Sequence, residues 1–306
     1  MSVNPAVYSS AGSLLEQFRS AWPFPHFVID GFLDHGLCQE VHDAFPAFSD
    51  ERARNEFGET GGKSVYENLP KIAPCYARLD KVFRSREFLH WLSQATGIPE
   101  LLYDRDYVGG GTHENRDGQE LDPHVDFNYH PKQRWHRRLN LILFLNKQWD
   151  DSWGGSLQLH LDPWTDASAK TVQPVFNRCI VFETSERSWH GFPKIRLPAD
   201  CQETTRKSVA VYFYTKERPR EEVVPEHGTY YVPRRMPDHL QAGYTLTDAD
   251  VAELGGLLAR RDRQIRYERE HERELRTVFA AMIESPSFRI GRALTWPLRK
   301  VRDLLR

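Results

Sequence analysis

Cysteine is scarce: Cys38, Cys75, Cys179 and Cys201 are scattered through 306 residues and form no Cys-x-x-Cys pair. That excludes a short secreted disulfide framework and suits reduced, buried thiols in a cytoplasmic protein. An excess of charge is also lacking. With 41 Lys and Arg against 43 Asp and Glu the formal charge is -2, so no basic field argues for nucleic acid. No apolar run approaches the roughly 20 residues that cross a bilayer. Residues 1–17 have neither the basic start nor the apolar core of a secretory signal. There is no P-loop and no Gly-x-Gly-x-x-Gly, and His271-Glu-Arg-Glu-Leu275 lacks the second His of a zinc-protease helix.

What is present is one large core with an appendage. Apolar spacing predicts helices over residues 13–20, 37–45 and 83–96, the last closed by Gly97, with a strand over 27–29. The polar segment 49–63 reads as a loop. From residue 103 to 214 the texture becomes β-rich, with runs at 103–108, 123–127, 139–145, 156–161, 178–182 and 207–214. They are separated by Gly109-Gly110-Gly111, by residues 150–155 and by residues 197–201. Short strands at this spacing imply a sandwich or barrel. Leu139, Leu141, Leu143 and Leu145 alternate with Asn140, Ile142 and Phe144, so both faces of that strand are expected to be buried. The fold expected is mainly β: a double-stranded β-helix, or jelly roll, with N-terminal flanking helices and a C-terminal helical extension. Its expected boundaries are 1–216 for the jelly roll, 217–246 for a Pro-, Arg- and Glu-rich linker, and 247–306 for a charged helix and basic tail.

The chemistry is read from Leu121-Asp-Pro-His-Val-Asp-Phe127. His124 and Asp126 are two apart, so on an extended backbone they leave from one face and can reach one small cation. Thirteen His make His-x-Asp a weak motif by itself. His190, in Ser-Trp-His-Gly-Phe, is the candidate third ligand. Two His and one carboxylate form a facial triad that leaves positions open on the metal.

The flanking sequence gives these residues a context. Tyr107-Val-Gly-Gly-Gly-Thr-His-Glu-Asn115 followed by Leu121-Asp-Pro-His124-Val-Asp126-Phe-Asn resembles the metal-binding strand of the prolyl-4-hydroxylase-like 2-oxoglutarate/Fe(II) dioxygenases. Four further stretches resemble the family's later elements, in its order. They are Arg137-Arg-Leu-Asn-Leu-Ile-Leu-Phe-Leu-Asn146 with Trp153-Gly-Gly-Ser-Leu-Gln-Leu, Phe176-Asn-Arg-Cys-Ile-Val-Phe182, Ser188-Trp-His190-Gly-Phe, and Arg206-Lys-Ser208-Val-Ala-Val-Tyr-Phe-Tyr214. The resemblance covers roughly residues 100 to 215.

It implies that His124, Asp126 and His190 hold Fe(II), and that 2-oxoglutarate and O2 are co-substrates, with ascorbate as a candidate further cofactor. It also implies oxidative decarboxylation to succinate and CO2 with hydroxylation of a prolyl or peptidyl, amino-acid or small-molecule substrate. Residues 285–299 are similar to tails on bacterial surface-polysaccharide glycosyltransferases and methyltransferases, which adds a glycan-related substrate to the expected classes. Arg206 suits the far carboxylate of 2-oxoglutarate through a bidentate pair, and Ser208 shares its face. Asn140 and Tyr103 are candidate co-substrate contacts, with core hydrogen bonding as the competing role. Trp189 reads as packing, and His113, His130 and His136 as surface residues. A catalytically inactive scaffold associated with surface-polysaccharide assembly is the alternative, and the intact triad with Arg206 argues against it.

Toward the C-terminus, Thr247 and Asp250 resemble a capping box for a helix running to Ile283 and stopped by Pro286. Leu254, Leu258, Ile265, Leu275, Phe279 and Met282 lie near heptad spacing, interrupted by Arg261, Glu268 and Glu272. Phe288, Ile290, Leu294, Trp296, Leu298, Val301 and Leu304 alternate with basic residues. Peripheral contact with the inner membrane face, a helix-mediated oligomer and packing on the chain itself all remain open for 247–306.

Overall fold

The computed structural model describes residues 3–54, 62–165, 169–237 and 239–295. Contacts divide the chain into two units, 1–234 and 235–306.

In the first unit eight strands carry the architecture: β1 (Gly111–Asn115), β2 (Leu121–Val125), β3 (His136–Phe144), β4 (Leu157–His160), β5 (Ala169–Val172), β6 (Arg178–Glu183), β7 (Trp189–Phe192) and β8 (Arg206–Thr215). One sheet contains the order β6-β3-β8-β1 and the other β2-β7-β4-β5, antiparallel throughout. The chain therefore passes between sheets as it proceeds, which is the jelly-roll topology. His26–Ile29 extends the first sheet beside β6, and Lys63–Tyr66 extends it beside β1. Tyr230–Tyr231 pairs with β2 in the second sheet.

Period-two alternation sorts the side chains. Leu139, Leu141, Leu143, Cys179, Val181, Val209, Val211 and Phe213 leave the first sheet on its outer face. They join Leu14, Phe18, Leu37, Val41, Leu79, Phe88 and Trp91 of the flanking helices in one core. Phe144, Ile180 and Phe182 leave on the inner face and meet Leu157, Leu159 and Val172 of the second sheet. Both faces of β3 are buried, as its sequence suggests. Truncating one such side chain to alanine costs about 2–5 kcal/mol. The inner face of β8 carries Arg206, Ser208, Ala210 and Tyr212, so the layer that seals the core also aims polar groups between the sheets.

Several local features differ from the sequence reading. Ser85 caps a helix over Arg86–Thr96, its side chain accepting from the Phe88 amide, and a separate helix, Pro74–Phe83, precedes it. The run expected at 103–108 keeps only Leu102–Tyr103 as strand. Beyond it, the Asp104 carboxylate accepts the amides of Asp106 and Val108 and folds the chain into a turn. The last glycine of the expected separator opens β1: Gly111 has φ +112°, and a Cβ there would lie 2.1 Å from the Tyr66 carbonyl oxygen. Residues 217–234, expected as linker, belong to the first unit, because Tyr230–Tyr231 completes a sheet edge and Val232 is buried with Val125 and Trp189.

The second unit contains the helices Asp248–Glu284 and Pro286–Leu294. The Thr247–Asp250 capping box is present, and His239 and the Tyr244 hydroxyl also bond to the Asp250 carboxylate. Pro286 both ends the first helix and starts the next, as the first helical residue behind a Ser285 cap. Phe288, Ile290 and Leu294 are exposed. Trp296, Leu298, Val301 and Leu304 lie outside the described residues. Among the described residues no helix is long and apolar enough to cross a membrane.

Candidate active site

Antiparallel pairing of β2 with β7 sets His124 directly opposite His190, and the two rings sit 4.2 Å apart, centroid to centroid. Asp126 follows β2 on the same face. Its carboxylate oxygens lie 3.8 Å from His124 Nε2 and 3.7 Å from His190 Nε2. One ligand atom from each residue falls within 4.8 Å of the others.

Both imidazoles are oriented by the backbone two residues upstream. His124 Nδ1 donates to the Asp122 carbonyl and His190 Nδ1 to the Ser188 carbonyl, each at 2.9 Å. The proton therefore sits on Nδ1 and leaves the Nε2 lone pairs facing the centre, the tautomer a metal needs. Burial lowers both imidazoles, His124 to about 3, and outweighs the opposing pull of the Asp126 carboxylate on each ring. Burial alone would raise the Asp126 carboxyl, but Arg137, His190 and His124 outweigh it and bring it down to about 2. At neutral pH the trio offers two neutral imidazoles and one carboxylate.

Asp126 is held from behind. Arg137 Nη2 lies 3.0 Å from Oδ2, and Asn140 Nδ2 donates to the same oxygen at 3.3 Å. Arg137 is itself buried and stacks on Tyr212 at 3.6 Å.

Arg206 lies in the same cavity, which Ser208, Asn140, His113 and Lys63 also line. Arg206 is only 4% exposed. Nε donates to the Gly155 carbonyl at 2.6 Å and its plane covers Phe192 at 4.3 Å. Among the described residues no carboxylate pairs with it, and burial lowers it to about 9. A buried cation without an anion is costly unless a ligand supplies one. The cavity therefore fits a small dicarboxylate beside a divalent cation, which is the donor set that Fe(II) with 2-oxoglutarate requires.

The model of the 2OG-Fe(II) oxygenase superfamily matches residues 110–214. That match spans about a third of the chain and contains His124, Asp126, His190 and Arg206. The chain is also similar to prolyl 3-hydroxylase OGFOD1 of Mus musculus, 24% identical over 209 residues, 63% of this chain and 33% of that protein. It thus spans about a third of the length of this curated relative. Among solved structures, a Trichoplax adhaerens prolyl hydroxylase in complex with a hypoxia inducible factor peptide fragment is 15% identical. It covers 68% of this chain and 90% of its own, with a TM-score of 0.49. A Pseudomonas putida prolyl-4-hydroxylase is also 15% identical, covers 68% of this chain and 100% of its own, and has a TM-score of 0.46.

Within the matched region the structure brings together His124, Asp126, His190, Arg206, Ser208 and Asn140 around one cavity. Tyr103 is not among them. Its hydroxyl donates to Tyr107, which donates to Asp80, both at 2.6 Å, and its ring packs in the outer core against Phe213. It leaves Leu102–Tyr103 opposite Phe213, on the helix-covered side of the sheet. Trp189 packs with Val125 and Val232.

Sequence reading missed Arg137. Counted by parity from Leu139 it belongs on the outer face, but the β3–β8 register slips between Phe213 and Tyr214. The extra residue in β3 is a bulge that turns Arg137 inward. Lys63 was hidden at the end of the expected loop. His113 and His130 are buried, not surface residues. His130 accepts the amides of Lys132 and Gln133 on Nδ1 and faces Asp104 at 3.2 Å through Nε2, a satisfied structural arrangement.

His113 carries a pH prediction. Burial holds its imidazole well below the ordinary value. The unfolded chain therefore takes up a proton near pH 6.5 that the folded chain refuses. The stability due to neutral His113 is present above that pH and is lost as pH falls below it, by about 1.4 kcal/mol per pH unit. Denaturant unfolding of metal-free protein between pH 7.5 and 5.5 should give a shallower loss for His113→Gln than for the parent chain. Equal slopes would mean that His113 protonates in the fold.

Proposed function

We propose that the chain is a 2-oxoglutarate- and Fe(II)-dependent dioxygenase that hydroxylates an unactivated carbon of a prolyl or peptidyl substrate, with amino-acid and glycan-related substrates as the other classes to be tested. The observation that carries this reading is the shared cavity of the His124–Asp126–His190 trio and a buried Arg206 that has no carboxylate partner among the described residues.

In this reading His124, Asp126 and His190 are the metal ligands, and Arg206 with Ser208 holds the far carboxylate of 2-oxoglutarate. When bound, Fe(II) with 2-oxoglutarate supplies O2 activation coupled to decarboxylation to succinate and CO2. The chain's own part is positioning and exclusion of water. Asn140 and Arg137 fix the Asp126 carboxylate, the His Nδ1–carbonyl bonds fix the rings, and Phe192 shields the guanidinium. A cleft of about 480 Å³ runs from Asp126 and Phe127 past Phe24, Pro25 and Leu161 toward Glu222. It is the route we assign to the substrate. The name of the mouse relative is the support for a prolyl residue as acceptor.

Purified protein given Fe(II), 2-oxoglutarate and O2 should release succinate, slowly alone and faster with a substrate from a panel of prolyl peptides, amino acids and glycans. Metal-loaded protein that neither binds 2-oxoglutarate nor forms succinate would leave the inactive-scaffold alternative standing.

A further inference from the structure

The helix Asp248–Glu284 extends over about 55 Å, with Val251, Leu258, Ile265, Leu275, Phe279 and Met282 exposed. Positions 251, 254, 258, 261, 265, 268, 272, 275, 279 and 282 alternate in steps of three and four, an unbroken a/d seam. Its ends are apolar, and its middle carries Arg261, Glu268 and Glu272.

We infer that this seam pairs antiparallel with the same helix of a second copy of the chain, with Arg261 opposite Glu272. The charges on the seam choose the geometry. A parallel, in-register pair sets each seam residue against its own copy, so Arg261, Glu268 and Glu272 make three like-charge layers. In an antiparallel pair each a position faces a d position. The register that sets Arg261 against Glu272 also sets Val251 against Met282, Leu254 against Phe279 and Leu258 against Leu275. Only Ile265, facing Glu268, is mismatched. Two-fold symmetry makes every one of these contacts twice.

Neighbouring registers lose the match. Sliding by one heptad in one direction sets Glu268 against Leu258 and Glu272 against Leu254. Sliding the other way sets Arg261 against Phe279 and Glu268 against Glu272. The flanking e positions agree with the favoured register, since it brings Asp262 beside Arg269. Within each helix Arg276 donates to Glu272, at 2.7 Å from Nη2, and Gln264 donates to Glu268 at 3.2 Å. Glu272 would thus be shared between two arginines. A membrane surface fits this stripe less well, because Arg261, Glu268 and Glu272 would enter the apolar layer with the leucines.

Sedimentation velocity of the full chain over a range of concentrations should show a reversible dimer. Arg261→Glu and Glu272→Arg should each weaken it roughly tenfold or more, and the two together should restore it. Cross-linking reads the geometry separately. In a Cys201→Ser background, which removes the least buried native thiol, Leu258→Cys combined with Leu275→Cys should form covalent dimers on mild oxidation. Leu258→Cys alone should not. A monomer at every concentration would overturn the proposal, as would a dimer indifferent to the single charge reversals, efficient cross-linking by Leu258→Cys alone, or association seen only on anionic vesicles.

Discussion

His190→Ala is expected to reduce divalent-metal affinity at least about 100-fold and to take succinate formation with it. Disturbing a group that merely orients a ligand costs roughly 10–100-fold, and this change removes a ligand. His190 is a cleaner target than Asp126. Asp126→Ala would leave the buried Arg137 without its anion, a penalty of about 3–5 kcal/mol that confuses binding with folding. The imidazole of His190 is neutral in the fold, held below its ordinary value chiefly by burial, so its loss leaves no stranded charge. The measurement is calorimetric titration of the variant with Fe(II) under anaerobic conditions, alongside thermal unfolding of the metal-free protein. Parent-like metal affinity in a folded variant would remove His190 from the ligand set.

The second large effect is expected at Arg206, where two properties should move in opposite directions. Arg206→Met should raise the KM for 2-oxoglutarate about 100-fold, in line with removing one partner of a buried charge pair. In the ligand-free protein it should also raise the unfolding temperature. Arg206 is 4% exposed, has no carboxylate partner among the described residues, and is lowered to about 9 by burial alone. Replacing such a charge with an apolar side chain of similar length is worth about 1–3 kcal/mol. Arg206→Lys should fall between, since an ammonium keeps the charge but not the paired donors. A variant that loses stability and keeps its affinity for 2-oxoglutarate would make Arg206 a structural residue.

The parts of the site that could be read from the chain are those governed by short-range geometry. Two-residue spacing puts His124 beside Asp126 and Arg206 beside Ser208, and alternation of Leu with Asn140, Ile142 and Phe144 announces a strand buried on both faces. The capping box at Thr247 is equally local. Tyr103 went astray because Asp104 breaks the strand immediately after it and the residue faces the helices. Arg137 was missed because parity counting assumes an unbroken ladder, and one bulge reverses the face of everything beyond it. β5 carries little periodic signal and is shaped by what it packs against, whereas Pro74–Phe83 sets Tyr76, Leu79 and Phe83 at helical spacing, a signal the sequence reading passed over.

By itself, the sequence determined which side chains are available, their alternation along each strand, the heptad phase of the C-terminal helix, and the order of elements that resembles a known oxygenase family. Only the tertiary structure decided that β7 lies beside β2, so that His190 meets His124, and that Arg206 is sealed under Phe192 with no carboxylate partner among the described residues. The reason is physical. Alternation is a property of neighbouring peptide units, whereas the meeting of distant strands and the desolvation of a charge depend on the whole packed sandwich.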